Sequence, residues 1–395
     1  MLAPAELRSR DSRLLPAIIL LVTSSLTVMV TAILGPSLPA MQTHFKEVRG
    51  AEYLVPLTVT APMLMMACLS VLAGALSDRV GRKRLLVGAT LLYGVVGTAP
   101  LYLQSLGSII ASRFLLGLTE AFLMTVSTTL IGDYYEGRQR ERFMSLQTTV
   151  ASLSAFVLNN LGGLLGSHGW RAPYAVFASS LLLAPLMTIH LWEPKSRATL
   201  TPTQLVEDGK TFQPRLLVLT CALAVLLGIV FLIVPVHLGY LYEAIGVRSS
   251  AQIGIGFGIN SLGVIGGTLL FGWVLAGQLR VELQLALGAA VAGLGLLIMN
   301  ASADQAALTA GGLVNGLGMG ILLPTLVTWN MRELPMSRRG LGIGAFQSSL
   351  FTGMFVSPIL IVGIENLLAV SRAQAVGMVG MVLAMLAVAA LAIPR

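Results

Sequence analysis

Two ionisable residues stand inside an otherwise apolar stretch. In Arg113-Phe114-Leu115-Leu116-Gly117-Leu118-Thr119-Glu120-Ala121 the guanidinium and the carboxylate are seven residues apart, which on a helix puts them on one face about 10.5 Å apart along the axis. Among seventeen Asp and Glu residues only Glu120 lies deep in an apolar run, and among 25 Lys and Arg only Arg113 does. An ionised carboxylate so placed costs about several kcal/mol, so it must be neutral, paired or open to a water-filled cavity. The chemistry within its reach is binding and releasing a proton, with the positive field of Arg113 as modulator. A polar anchor between helices is the other use for the same two residues.

The elements that must hold this pair follow from composition. Hydrophobic residues make up 55% of the 395 residues and charged residues 11%, against about 25% charged in soluble domains. The chain therefore reads as an all-α, multi-pass membrane protein with the lipid bilayer as a partner, and a soluble protein is excluded. A net charge of +8 would suggest nucleic acid in a soluble chain. Here the basic residues sit in short loops and set topology instead, so no nucleic-acid partner is expected.

Apolar runs long enough to cross about 30 Å of hydrocarbon number twelve, near 14–35, 53–76, 85–103, 107–131, 143–166, 170–192, 215–241, 251–276, 281–300, 305–330, 340–363 and 371–393. The first reads as a retained span, since no small-residue cleavage site follows it. Nineteen Lys and Arg lie on the side of the N-terminus; five, Lys46, Arg49, Arg171, Arg248 and Arg372, lie on the other. Both termini are thus expected to be cytoplasmic. The longest polar stretch, 193–214, divides the spans six and six, so bundles at 1–192 and 215–395 are expected on either side of a cytoplasmic linker.

The halves repeat. Gly74 matches Gly272 at an offset of 198, Leu116-Gly117-Leu118 matches Asn315-Gly316-Leu317 at 199, and Ser145, Ser154 and Asn159 match Gly344, Gly353 and Pro358 at 199. Duplicated, pseudo-symmetric units give such spacing. Ala276 falls where Asp78 would be and Leu279 where Gly81 would be, so the loop chemistry belongs to one half.

That chemistry is Gly74-Ala75-Leu76-Ser77-Asp78-Arg79-Val80-Gly81-Arg82-Lys83-Arg84-Leu85-Leu86, a glycine-pinned basic turn between two apolar runs. It strongly resembles the signature of the major facilitator superfamily between its second and third spans. The arginine with a glycine four residues on, Arg113 and Gly117, and Gly169-Trp170-Arg171 at the start of the sixth span resemble further family motifs. The resemblance implies twelve transmembrane helices in two six-helix bundles and alternating access. It also implies a bacterial inner-membrane location and, usually, a monomer. In the family, the aspartate corresponding to Asp78 sits near the N-terminus of the eleventh helix. The arginine corresponding to Arg82 pairs with an acid at the end of the fourth, for which Asp133 is suitably placed. Gly74, Asp78, Arg79, Gly81, Arg82 and Asp133 would then form a conformational latch that breaks as the bundles rock.

Within the family the match is to twelve-span proton-coupled exporters of drugs or small metabolites, with protons and a small molecule as partners. Two departures weaken the drug-export reading. Leu116 stands where such exporters often have glutamine, and Leu158-Asn159-Asn160-Leu161-Gly162-Gly163 keeps only the last two glycines of their fifth-span pattern. An importer of an organic anion, sugar or amino acid, using Arg113 to hold substrate, is the alternative. A non-transporting membrane sensor is the remote one.

Candidate cavity side chains are Asn159, Asn160, Asn260, Asn315, Gln347 and His237. Asn159 and Asn160 point about 100° apart, so one faces the cavity or both bond between helices. Cys68 and Cys221 lie within spans and read as packing residues. With no phosphate-binding loop and no His/Cys cluster, no enzyme activity, cofactor or metal is expected.

Overall fold

The computed structural model describes residues 4–135, 137–194, 213–334 and 339–391. These form fourteen α-helices: α1 (Pro4–Leu34), α2 (Leu38–His44), α3 (Ala51–Val80), α4 (Arg82–Thr98), α5 (Leu106–Tyr134), α6 (Gly137–Gly166) and α7 (Ser179–His190), followed by α8 (Pro214–Ala244), α9 (Ser250–Leu270), α10 (Ala276–Gln278), α11 (Val281–Ala301), α12 (Gln305–Glu333), α13 (Arg339–Leu368) and α14 (Arg372–Leu391). Twelve segments among the described residues are long and apolar enough to cross a membrane, with α1 and α2 forming one and α9 and α10 another. The expected linker, 193–214, falls almost wholly outside the described residues.

Helix starts are encoded locally. Ser105, Ser249 and Asp304 cap α5, α9 and α12, their side chains accepting from the backbone N–H three residues on. All three starts lie on the face opposite Gly81, where a helix entering from water would leave orphan N–H groups. On the other face the turn proves shorter than the sequence suggests. α3 runs on through Asp78 to Val80, and Gly81 alone, at φ +101°, reverses the chain into α4. Only glycine adopts that conformation without strain.

The two halves share one packing plan. In the first, α5 packs on α3 and α4, and α6 on α1; in the second, α12 packs on α9 and α11, and α13 on α8. The repeat fixes the points of closest approach. A Cβ on Gly117 would strike the backbone of Pro62, and one on Gly316 the backbone of Asn260, 198 residues after Pro62. Likewise Ser154 Oγ meets Ser25 Oγ at 2.7 Å, while Gly353 lies against the backbone of Val225.

Between the halves α6 packs on α9 and α3 on α13. The contacts gather on the face opposite Gly81. A Cβ on Gly163 would lie 2.6 Å from Ser250 O, one on Gly35 2.7 Å from Pro235 O, and Asn366 Nδ2 donates to Tyr53 Oη at 2.8 Å. Toward Gly81 the halves part. Along α6 no described side chain from Arg138 to Val157 is buried, whereas Leu158 and Asn159 are. Among the described residues the contacts between the halves are thus concentrated on the face opposite Gly81, with Ser348 Oγ donating to Ala67 O at 2.6 Å deeper between α3 and α13.

Candidate functional site

Arg113 and Glu120 both lie on α5 and both are fully buried. Arg113 Nη2 donates to Val96 O at 2.8 Å and to Gly97 O at 3.1 Å, the carbonyls at the end of α4. Its guanidinium stands over the rings of Tyr174, 5.2 Å from the centroid, and Phe177, at 5.6 Å. Orphan carbonyls at a helix end attract a cation, and aromatic faces add to the attraction. Arg113 therefore ties α4 and the 3-10 segment Ala172–Ala178 to α5, with Nη1 left unpartnered.

Glu120 is held differently. Neither carboxylate oxygen has a hydrogen-bond partner. Its electrostatic neighbours are Arg113 and Tyr93, whose hydroxyl donates to Leu26 O at 2.7 Å. Tyr93, Tyr174 and Phe177 went unnoticed in the sequence because nothing distinguishes a ring that supports a charge from the apolar content around it.

The Gly81 turn gathers a second cluster. Arg82 pairs with Asp133 at the end of α5, as the motif implies. Both residues belong to the first half, so the pair persists while the halves stand apart on this face. Glu193, just after α7, joins them: its carboxylate accepts from Arg82 N at 2.6 Å and Lys83 N at 3.0 Å. It caps α4, and it fills the space a Cβ on Gly81 would need, at 3.1 Å. A negative charge on the first N–H groups of a helix is favoured by the dipole. Next to it Tyr134 stacks on Trp192 with centroids 3.9 Å apart. Arg79 is exposed and Gly74 lies within α3; the side chain of Asp78 is outside the described set. Glu193 lies 111 residues from Arg82, a pairing that local sequence could not suggest.

The amides serve helix contacts in this state. Asn159 Nδ2 donates to Ser261 Oγ at 3.0 Å across the halves, while Asn160 donates to Phe156 O at 2.8 Å and lies against Gly258. Asn260 donates to Gly312 O at 2.7 Å and Asn315 to Ala292 O at 3.1 Å, both within the second half. Gln347 is half-buried on α13, beside Ser348, whose hydroxyl donates to Ala67 O at 2.6 Å. His237 is fully buried on α8 with neither ring nitrogen bonded. It lies near Tyr240, which Arg372 covers at 4.3 Å while bonding Glu365. No group of three or more His, Cys, Asp or Glu suited to a metal occurs among the described residues.

The family model for the Major Facilitator Superfamily matches residues 20–358. The chain belongs to that superfamily. The fold agrees. A D-xylose-proton symporter superposes with a TM-score of 0.74 at 16% identity, covering 94% of this chain and 96% of that one. A bacterial homolog of the human lysosomal transporter Spinster, inward-facing and unoccupied, gives 0.71 at 14%, covering 96% of each. By sequence the chain is similar to the uncharacterized transporter YdgK of Bacillus subtilis, 25% identical over 61% of this chain and 63% of that protein. It is also similar to the 4-hydroxybenzoate transporter PcaK of Pseudomonas putida, 32% identical over 31% of this chain and 28% of that one. The multidrug transporter MdfA of Edwardsiella piscicida is 31% identical over 34% and 33%. The matched region thus spans less than two thirds of each of these relatives.

Proposed function

We propose that this superfamily member is a proton-coupled exporter of a drug or small metabolite. It works by alternating access in a bacterial inner membrane, with the basic Gly81 face and both termini toward the cytoplasm. The observation that carries the reading is Glu120, a fully buried carboxyl group with neither oxygen bonded. A structural anchor would make hydrogen bonds; a group that must gain and lose a proton during the cycle is left free of them. Protonation of Glu120 while the cavity faces outward favours substrate release, and deprotonation inside favours reloading. Arg113 modulates that exchange through its field, fixed in place by Val96 and Gly97.

The two halves rock as units, opening now on the Gly81 face. Arg82, Asp133 and Glu193 keep the α4 corner rigid through the cycle, and the latch closes when α13 returns to it. Similarity to MdfA supports export. Similarity to PcaK, with the unpartnered Nη1 of Arg113, favours a second reading in which an organic anion is the cargo.

Inside-out vesicles with an imposed acid-inside gradient and an internal pH dye separate these. Lipophilic cations, aromatic acids and sugars are added outside. Export predicts that particular compounds dissipate the gradient and that Glu120→Gln abolishes the response. A Glu120→Gln protein that transports at the wild-type rate with unchanged pH dependence would sink the proton assignment. An anion carrier predicts instead that Arg113→Lys, which cannot keep both carbonyl bonds and a free amine, raises the apparent KM for aromatic acids about tenfold.

A further inference from the structure

On the face opposite Gly81 a cavity of about 460 Å³ lies across the junction of the halves. Pro36, Pro39 and Thr43 of the first half form one wall, and Glu243, Arg248 and Ser250 of the second form the other. The volume falls in the range of small-molecule sites, roughly 300–1,000 Å³. Its charges are unspent. Neither the Glu243 nor the Arg248 side chain makes a hydrogen bond or ion pair with another described residue, although both line one pocket. α9 begins at Ser250, adding the positive end of a 21-residue helix on the Arg248 side. Ser37 Oγ, buried and unpartnered, borders the same junction, flanking Gly166 together with Ser250.

We propose that this cavity is a second binding site, lined by neither Arg113 nor Glu120, for a small zwitterion. Its ammonium pairs with Glu243, and its carboxylate or phosphate pairs with Arg248 and the start of α9. The site is whole only while this face is closed, because its walls belong to different halves that meet at Gly163 and Ser250 and at Gly239 and Pro39. A ligand that needs both walls binds the closed state in preference and stabilises it. It acts as an effector that slows reopening of this face. The state dependence rests on alternating access; the binding does not.

The test uses the full-length protein with Cys68→Ala and Cys221→Ala, spin-labelled at Glu47→Cys and Ala244→Cys, in phosphatidylglycerol nanodiscs. One arm adds alanyl-alanine; the other replaces part of the lipid with phosphatidylethanolamine. Either probe should raise the melting temperature and enlarge the short-distance population. Separate Glu243→Gln and Arg248→Gln variants should each weaken the response about tenfold, the worth of one lost charge contact. A response to the dipeptide alone identifies a soluble ligand, and to the lipid alone a headgroup. No response in either arm, or one undiminished in both variants, overturns the site. Stabilisation lost in the variants with an unchanged distance distribution supports the site and overturns its coupling to this face, which separates a failure of alternating access from a failure of binding.

Discussion

α5 and α12 are the same helix built twice, and they differ in what they bury. Each crosses its neighbour at a glycine, Gly117 on Pro62 and Gly316 on Asn260. Each also sends a donor to a carbonyl of the preceding helix, Arg113 to Val96 and Gly97 in one half and Asn315 to Ala292 in the other. At an offset of 199, however, Arg113 is matched by Gly312 and Glu120 by Met319. The packing plan is therefore independent of the buried charges. Among the described residues α12 buries no charged side chain, whereas α5 buries Arg113 and Glu120, each at a cost in solvation when ionised, and that asymmetry is why the proposed coupling is assigned to the first half.

The comparison can be broken at its strongest point by Arg113→Met. Loss of two carbonyl bonds and the aromatic contacts should cost about 3 kcal/mol, read as a lower melting temperature in detergent. Little change would mean that the guanidinium contributes no more to the fold than Gly312 does. Next in size, Gly117→Ala and Gly316→Ala should each destabilise by about 1–3 kcal/mol through overpacking, and by similar amounts. Damage in one half only would show that the shared crossing is not equally tight.

Glu193→Gln tests a side-chain cap on α4 that α11, its counterpart, lacks among the described residues. Because the carboxylate is exposed, the loss should be about 0.5 kcal/mol and should shrink as salt rises; a larger, salt-independent loss would point to packing instead of charge. Smallest of all, Gly312→Ala should change stability by less than about 0.5 kcal/mol, since its added Cβ would find only ordinary contact, 3.9 Å from Asn260 Cβ. A marked loss there would refute the view that this position is free of constraint.

Much of the fold was legible in the chain, for a reason specific to membranes. Each span must satisfy its own backbone in hydrocarbon, so a run of about twenty apolar residues is nearly sufficient to make a helix, and twelve were counted where twelve stand among the described residues. Glu120 and Arg113 were visible for the same reason: a charge in such a run is conspicuous. The Gly81 motif also gave the Arg82–Asp133 pair. It misled over the turn, because Asp78 and Arg79 continue the helix until a residue with positive φ is reached.

What the residues determined alone is therefore the number of spans, the repeat, the basic face and the presence of two buried charges, all set by local transfer free energy. Tertiary structure decided which partners those charges found. Arg113 took the carbonyls at the end of α4, Glu120 took none, and Glu193 capped a helix 111 residues away. It also decided that Asn159 bridges the halves and that their contacts concentrate on the face opposite Gly81. These choices depend on contacts between distant segments, where many pairings of similar energy compete and only the assembled packing selects among them.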